Sequence, residues 1–329
     1  MPTIYEVSKL AGVSLATVSR VMNGSAKVSD KNKKKVRDAM DALGYRPNSV
    51  AISLASKRSN CIGILVAELD GVFFGSMMTG IEKTLRNHHK HVVITAGHSN
   101  DFDEREGIEF LKSRNCDALI IHAEQLSDDY LIELSKGKTP IVVVNRFIAA
   151  IKDKCISLDN LKGGYLATQF ILNKGHTKLV NISGPKSKND ANDRLLGFKQ
   201  ALREQGLVCE EHQIYEGNYL QESGAAAIDH FISAGIAFTA VVCGNDQMAI
   251  GAMARLRVYQ KNPSEDVAVI GFDDVSFAAC TFPTLTTIKY PIKEMGNQAA
   301  KLILKEVYNI VVDDIRQRYE PSLVERDSV

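Results

Sequence analysis

TIYEVSKLAGVSLATVSRVMN, residues 3–23, is the stretch that predicts the first domain. Thr3 and Glu6 form a T-x-x-E capping box, a common start of a short helix, and this helix carries Val7, Leu10 and Ala11 on one face. Gly12 ends that helix, and Ser14 can cap the helix that follows. Two short helices joined by a tight glycine turn are the geometry that places a second helix in the major groove of DNA. The stretch therefore predicts a helix-turn-helix, although a helical hairpin without a DNA-binding role has a similar pattern.

A third helix and an uneven charge distribution favour the DNA-binding interpretation. Apolar residues recur at helical spacing between a Ser29 cap and Gly44. Residues 1–60 contain 11 Lys and Arg against 4 Asp and Glu, a formal charge of +7, whereas the whole chain carries +1. The other 269 residues therefore carry −6. A basic head on a mildly acidic body is suited to a phosphate contact that the body does not share.

The composition limits the class of protein. With 329 residues and 45% hydrophobic content, the chain can bury two or three domain cores. No segment approaches the roughly 20 apolar residues of a membrane span, and no apolar signal segment follows the N-terminus. The six cysteines are dispersed without a C-x-x-C, which is typical of reduced core residues. We therefore expect a cytoplasmic protein with no membrane contact.

From residue 61 onward, apolar runs alternate with segments of the length that parallel crossovers need. These alternating segments are more numerous than one parallel sheet normally accommodates, so we predict an α/β body of two doubly wound parallel-sheet lobes. The first lobe comprises residues 61–159 and 291–329, and the second comprises residues 160–290. Ligands of such sheets bind at the carboxyl ends of the strands, which predicts a site between the lobes. The candidate strands are Ile62–Ala67, Val92–Ala96, Ala118–His122, Ile141–Asn145, Leu179–Ser183, Ala240–Cys243 and Val267–Phe272.

Motifs along essentially the whole chain share one family resemblance. They are the residue 3–23 block, GYRPN at 44–48 followed by Leu54-Ala55, DRLLGF at 193–198, GNDQMA at 244–249, VIGFDD at 269–274 and PTLTTI at 283–288. In this order they resemble the Lac repressor/Gal repressor family of bacterial transcription regulators, most closely its galactose-repressor branch. The resemblance implies a helix-turn-helix domain (1–46), a hinge with a short minor-groove helix (47–60), and an effector-binding and dimerisation domain (61–329) with the type I periplasmic-binding-protein-like architecture.

The resemblance also implies which residues contact DNA. Leu15, Ala16 and Arg20 would face base edges in the major groove. Leu15 and Ala16 offer only apolar contacts, whereas Arg20 can bind a guanine bidentately. Leu54 from each of two paired hinge helices would wedge into the central base step of the minor groove. The remaining residues implied at DNA are Thr3, Ser14, Thr17, Ser19, Asn23, Ser29, Tyr45, Asn48, Ala51 and Ala55.

Eight residues are predicted to bind the effector. Arg194, Asn245 and Asp273 supply the paired donors and acceptors that sugar hydroxyls need. The resemblance places an aromatic ring against the ligand just after the first strand. There this chain has Phe73 and Phe74, preceded by Gly71-Val72 where the family usually has Asp-Pro or Asn-Pro, so either ring could stack. The full predicted set is Phe73, Phe74, Asn145, Asp190, Arg194, Tyr219, Asn245 and Asp273.

The function predicted from these features is sequence-specific repression of carbohydrate genes. A homodimer is expected, and its symmetry predicts a palindromic operator. A sugar in the cleft, with a galactose-like hexose favoured, would shift the protein between two lobe–lobe angles. A purine, nucleoside or phosphorylated effector, and a sugar receptor without a DNA role, are the alternatives. No G-x-G-x-x-G after a strand, P-loop, G-x-S-x-G or H-E-x-x-H is present, so no enzyme, cofactor or metal site is predicted.

Overall fold

The computed structural model describes residues 2–22, 27–46 and 58–329. It divides into two compact units, Met1–Asn60, here called the head, and Cys61–Val329, here called the body. The described part of the head contains the helices α1 (Ile4–Ala11), α2 (Leu15–Met22) and α3 (Asp30–Leu43).

The predicted capping box starts the first helix of the head. The Thr3 N–H donates to the Glu6 carboxylate at 2.6 Å, and the Glu6 N–H donates to Thr3 Oγ1 at 3.4 Å. Gly12 ends α1 with φ 63°, a left-handed conformation that glycine adopts without strain. The head core is formed by Val7, Ala11, Val18, Val36, Ala39 and Tyr45.

Leu10 was expected on the buried face of α1, and that expectation is wrong. Its side chain is 56% exposed. Val7 and Ala11, four residues apart, form the buried stripe of this short helix. Leu10 therefore lies at the edge of the stripe.

The first lobe of the body is a parallel sheet of six strands. They are β1 (Cys61–Val66), β2 (His91–Ala96), β3 (Ala118–Ile121), β4 (Ile141–Val144), β5 (Cys155–Leu158) and β11 (Arg318–Tyr319). Their order in the sheet is β11-β5-β4-β3-β1-β2. The strands β1, β3 and β4 are apolar and almost wholly buried, as expected when helices cover both faces. Its helices are α4 (Val72–Arg86), α5 (Asp101–Ser113), α6 (Asp128–Ser135) and α11 (Ile292–Tyr308), with a 3-10 turn at Ala149–Lys154.

The second lobe repeats this architecture. Its strands are β6 (Leu179–Ser183), β7 (Ile214–Glu216), β8 (Ala240–Cys243), β9 (Ala268–Asp273), β10 (Thr286–Lys289) and β12 (Ser322–Val324). Their order in the sheet is β12-β10-β9-β8-β6-β7, with β12 antiparallel to β10. Its helices are α7 (Asn160–Asn173), α8 (Asn189–Glu204), α9 (Gln221–Ser233) and α10 (Asp246–Val258), with 3-10 turns at Glu211–Gln213 and Ser276–Cys280.

The C-terminal segment belongs to both lobes. The helix α11 packs on α4 so closely that a Cβ at Gly80 would collide with the Lys293 carbonyl oxygen. The prediction that all of residues 291–329 return to the first lobe is nevertheless wrong for the last part. There β12 pairs with the free edge of β10, and the Ser328 hydroxyl donates to the Val269 carbonyl at 2.6 Å. The chain therefore crosses between the lobes three times.

Candidate functional site

A cleft of about 390 Å³ lies between the two lobes. Its walls are built largely from residues that follow the carboxyl ends of strands in both sheets, where open α/β sheets bind ligands. All eight residues predicted to bind an effector line it: Phe73, Phe74, Asn145, Asp190, Arg194, Tyr219, Asn245 and Asp273. The fold thus brings the predicted set together, and their role in binding stays a prediction.

Arg194 is a buried cation held by the second lobe. Its side chain is only 6% exposed. Nε donates to Asn160 Oδ1 at 3.0 Å, and Nη1 donates to the Gly244 carbonyl at 2.6 Å. The guanidinium carbon lies 3.8 Å from the centre of the Phe272 ring, a cation–π distance. The protein's own groups therefore hold the guanidinium in the cleft wall.

Two carboxylates share the Arg194 charge. Its guanidinium approaches Asp190 Oδ2 at 3.5 Å and Asp273 Oδ1 at 3.7 Å. Burial raises the pKa of Asp273, and the Arg194 charge counteracts part of that shift. The Tyr219 hydroxyl donates to Asp190 Oδ1 at 3.3 Å, and the Asn245 amide donates to the Tyr219 carbonyl at 2.9 Å. These groups form one hydrogen-bonded network with donors and acceptors suited to a polyhydroxylated ligand.

Polar contacts join the two lobes across the cleft. Lys188 Nζ of the second lobe lies 2.7 Å from the Glu124 carboxylate of the first, and both side chains are at most 15% exposed. The Asn145 amide donates to Asp190 Oδ2 at 3.4 Å. Neither Lys188 nor Glu124 was predicted from the sequence. Because each contact links opposite walls, a change in lobe angle would break or reform it.

His122 was also missed, and it leaves a buried polar atom without a partner. Its side chain is 3% exposed and lines the cleft. Nε2 lies 3.3 Å from the Asn145 amide nitrogen, whereas Nδ1 has no hydrogen-bond partner in the described part of the chain. Such an orphaned group is destabilising until a partner satisfies it. The available signal was its position at the end of a predicted strand that faces the cleft.

The aromatic pair stands at the start of α4. Gly71 precedes the helix with φ 85°, which other residues adopt only with strain. The Phe73 and Phe74 rings meet edge to face at 5.3 Å, and Phe74 lies 5.2 Å from the His122 ring. The Gly71-Val72 departure thus leaves both rings in the cleft wall.

Glu104 holds the loop that carries Glu124. Its carboxylate is fully buried in α5. It accepts the backbone N–H groups of Glu124 at 2.8 Å, Gln125 at 3.0 Å and Leu126 at 2.9 Å. Burial raises the pKa of Glu104, and these hydrogen bonds oppose the rise. Nothing local in the sequence distinguishes Glu104 from the exposed acids of the same helix.

Asp246 is a second buried carboxylate, behind the cleft wall. It accepts from Thr287 Oγ1 at 2.5 Å and from the Val275 N–H at 2.9 Å. Burial raises its pKa to about 7. These bonds tether β10 and the segment that directly follows Asp273 at the end of β9.

This pKa predicts a falling stability as the pH rises. The folded pKa lies above the unfolded value of about 3.9, so the unfolded state loses its proton first. The free energy of unfolding should therefore decrease between about pH 4 and pH 7, by up to about 1.4 kcal/mol per pH unit from this group. Asp246→Asn should remove that component. Urea unfolding of both proteins at several pH values measures it, and parallel pH profiles would contradict the prediction.

In the head, α2 presents the predicted base-contacting residues. Ala16 and Arg20 are exposed, and Leu15 is half-buried and lies outside the hydrophobic core of the head. Ser14 Oγ lies 2.9 Å from Thr17 Oγ1 and accepts from the Thr17 N–H at 3.2 Å, which caps α2. Among the described residues of this surface, α2 thus leaves both an apolar and a cationic group available to base edges.

The other residues predicted at DNA have varied positions. Ser19 is half-buried, Thr3 caps α1, and Ser29 precedes α3 without a side-chain capping bond. Tyr45 instead packs in the head core and is 9% exposed, which gives it a structural role there. Five predicted residues lie outside the described residues: Asn23, Asn48, Ala51, Leu54 and Ala55.

The described residues contain neither a membrane-spanning helix nor a metal-binding cluster. Over residues 2–22, 27–46 and 58–329, no helix combines the length and apolar character that crossing a bilayer requires. In the same ranges, no three His, Cys, Asp or Glu residues are grouped so that they could hold a metal ion.

Two family models match the chain. One, described as bacterial regulatory proteins of the lacI family, matches residues 3–48. The other, described as periplasmic binding proteins and sugar binding domain of the LacI family, matches residues 59–322. Together they cover most of the head and nearly all of the body.

Individual relatives agree with these matches. The HTH-type transcriptional regulator GalR of Escherichia coli (strain K12) is 37% identical over 329 residues, which is 100% of this chain and 96% of that protein. The HTH-type transcriptional repressor PurR of Vibrio vulnificus (strain CMCP6) is 33% identical over 332 residues, with 100% and 99% covered. The solved Lac repressor dimer bound to operator and the anti-inducer ONPF superimposes with a TM-score of 0.88 at 28% identity, over 99% of this chain and 98% of that one.

Proposed function

The chain belongs to the lacI family of bacterial regulatory proteins, and from this premise we propose that it represses carbohydrate-utilisation genes under the control of a sugar. It is a DNA-binding transcriptional regulator with a sugar-binding domain. The observation that carries the proposal is the convergence of all eight predicted effector residues on one cleft. The similarity to GalR favours a galactose-like hexose as the effector. Such a regulator acts in the cytoplasm and on the nucleoid, and no catalytic role is proposed.

The proposed DNA contact uses two copies of the chain. A homodimer presents two heads related by a two-fold axis, so it reads a palindromic operator. In each half-site, Leu15 and Ala16 contact thymine methyl groups and Arg20 binds a guanine. Leu54 of the hinge is proposed to enter the minor groove at the centre, as the family resemblance implies.

The proposed control is a shift between two lobe arrangements. The Lys188–Glu124 and Asn145–Asp190 contacts bridge the cleft and depend on the lobe angle. A sugar that binds one arrangement better than the other changes the population that can hold operator. For a 100-fold change in operator affinity, the sugar must bind one lobe arrangement more favourably than the other by about 2.7 kcal/mol.

The test of this function is operator selection from random DNA at fixed salt, with and without a panel of hexoses. We expect a palindrome to be enriched, and a galactose-like sugar to weaken its binding. A palindrome that no sugar affects would retain the DNA-binding function and overturn the sugar assignment. The absence of any enriched palindrome would overturn the repressor proposal itself.

Arg20 offers a sharper test of how the head reads DNA. Arg20→Ala should weaken operator binding by about 10- to 100-fold, because a bidentate guanine contact contributes about 1–3 kcal/mol. It should also relax the base preference at one position of each half-site. Lys34→Ala is the control, since Lys34 pairs with Asp38 at 2.8 Å on the surface of α3 and should change affinity less than threefold for all sequences. Fluorescence anisotropy with single-base operator variants measures both effects, and an unchanged base preference in Arg20→Ala would contradict the assignment.

A further inference from the structure

If the cleft binds an effector as proposed, its charged residues indicate which class of ligand it accepts. Among the described residues that line it, five carboxylates face two cations. The carboxylates belong to Glu68, Asp70, Glu124, Asp190 and Asp273, and the cations to Lys188 and Arg194. With every group ionised the lining carries −3, and with Asp273 protonated it still carries −2.

Both cations are already engaged by the protein. Lys188 pairs with Glu124 at 2.7 Å. Arg194 donates to Asn160 and to the Gly244 carbonyl, and it also lies between two carboxylates. A phosphate or carboxylate on a ligand would have to share one of these cations with the carboxylates that the protein already holds against it. The net attraction that such a ligand gains is therefore small.

The helix ends at the cleft do not supply another anion site. Free N–H groups at a helix N-terminus attract anions, but at the starts of α8 and α10 a side chain of the protein already accepts a first-turn N–H. Asp190 lies in the first turn of α8 and accepts the Ala191 N–H at 2.8 Å. Asn245 caps α10 by accepting the Met248 N–H at 2.9 Å. The start of α4 has no side-chain cap, but the exposed Asp70 carboxylate two residues before it places a negative charge there.

A neutral polar ligand, by contrast, has uncharged polar partners. Asn218 and Gln247 line the cleft with side-chain amides, which can donate to and accept from a hydroxyl. At the mouth, Asp70 can accept from a hydroxyl or pair with an ammonium group, and so can Glu68, whose carboxylate also lies 3.2 Å from His98 Nδ1. The cleft therefore combines uncharged polar groups with an excess of negative charge.

We propose that the cleft selects its sugar by charge, so that it admits uncharged and amine-bearing hexoses and rejects phosphorylated or carboxylated ones. Repulsion from two uncompensated charges in a partly desolvated cleft should lower the affinity for a hexose 6-phosphate about 30-fold relative to the parent hexose, which corresponds to about 2 kcal/mol. An amine-bearing hexose should bind at least as tightly as the parent. Both differences should shrink at high salt, because screening weakens exposed charges.

The test is calorimetric titration of the full-length protein with glucose and galactose, each compared with its 6-phosphate and its 2-amino-2-deoxy derivative. Binding of a 6-phosphate as tight as that of its parent, or tighter, would overturn the charge inference alone. Failure of every compound to bind would overturn the proposed sugar effector as well. These two failures are therefore distinguishable.

A pair of variants assigns the selectivity to the mouth of the cleft. Glu68→Gln/Asp70→Asn removes two negative charges there and should raise the ratio of 6-phosphate to hexose affinity at least fivefold. Glu306→Gln/Asp313→Asn is the matched control, because it removes two exposed acids that do not line the cleft, and it should leave the ratio within twofold. An equal change in both variants would mean that the net charge of the protein, and not the cleft, sets the preference, and would overturn the proposal.

Discussion

Replacing Arg194 with Met is expected to abolish the response of operator binding to sugar while leaving a protein that still binds operator. The guanidinium donates to Asn160 and Gly244, lies over the Phe272 ring, and compensates Asp190 and Asp273. Methionine fills similar space but supplies neither charge nor donors. Sugar affinity should fall more than 100-fold, since both the ligand contact and the arrangement of the surrounding carboxylates are lost.

The same substitution should lower the free energy of unfolding by about 3–5 kcal/mol, because it leaves buried carboxylates without their counter-charge. Asp273→Asn in the Arg194→Met background should restore part of that stability without restoring the sugar response. This double variant separates the folding effect from the ligand effect. Arg194→Lys keeps the charge but not the planar fork, and should recover stability better than affinity.

Urea unfolding and operator-binding assays with and without the sugar that binds wild-type protein measure the two effects. A normal sugar response in Arg194→Met would contradict a ligand-binding role for Arg194. A response lost in Arg194→Met and regained in the double variant would mean that Arg194 acts only by compensating Asp273.

The sequence predicts the architecture well where local pattern determines it. Buried parallel strands read as short apolar runs, and each of the seven predicted strands is present with bounds within one residue. The strands missing from the prediction are Cys155–Leu158, Ile214–Glu216, Thr286–Lys289, Arg318–Tyr319 and Ser322–Val324. Three of the missed strands have only two or three residues, and Ser322–Val324 is defined only by its pairing with Thr286–Lys289. No local periodicity marks strands of two or three residues. The assignment of the tail to one lobe failed for the same reason.

The residues of the cleft also divide into those that sequence motifs predict and those that only the fold reveals. Arg194, Asn245 and Asp273 lie in motifs that the family resemblance marks, so they could be predicted. Lys188 and Glu124 become important only because the fold places the two lobes opposite each other. These two residues are 64 positions apart in the chain, and each alone resembles an ordinary surface charge. Interactions between lobes are therefore the part of the site that the sequence pattern does not reveal.

Sequence separation also explains why buried carboxylates were overlooked. Acidic residues are rarely buried without a partner, so an acid in a helix is normally expected to face solvent. Glu104 departs from that expectation because the segment that follows β3 supplies three backbone donors to it. Those donors lie 20 to 22 residues further along the chain. Without the fold, the burial of Glu104 has no visible cause.

Replacing Glu104 with Ala should therefore lower the free energy of unfolding by about 3 kcal/mol or more, because buried N–H groups that lose their acceptor cost about 1–3 kcal/mol each. Glu104→Gln keeps one acceptor oxygen and should cost less than Glu104→Ala. Glu109→Ala, on the same helix, removes an exposed acid that pairs with Lys112 at 2.7 Å, and should change the stability by less than about 0.5 kcal/mol.

The effect on ligand binding distinguishes a loop-positioning role from a purely structural one. If Glu104 fixes the loop that carries Glu124, its loss should weaken the Lys188–Glu124 bridge as well as the fold. At a temperature where Glu104→Gln remains fully folded, its sugar affinity should then fall, and Glu124→Gln combined with it should cause little further loss, because both changes act on one bridge. Calorimetric titration of the two single variants and the double variant measures this coupling. Additive losses would show that Glu104 supports the fold without positioning Glu124, whereas a shared loss would connect a buried carboxylate to the closure of the cleft.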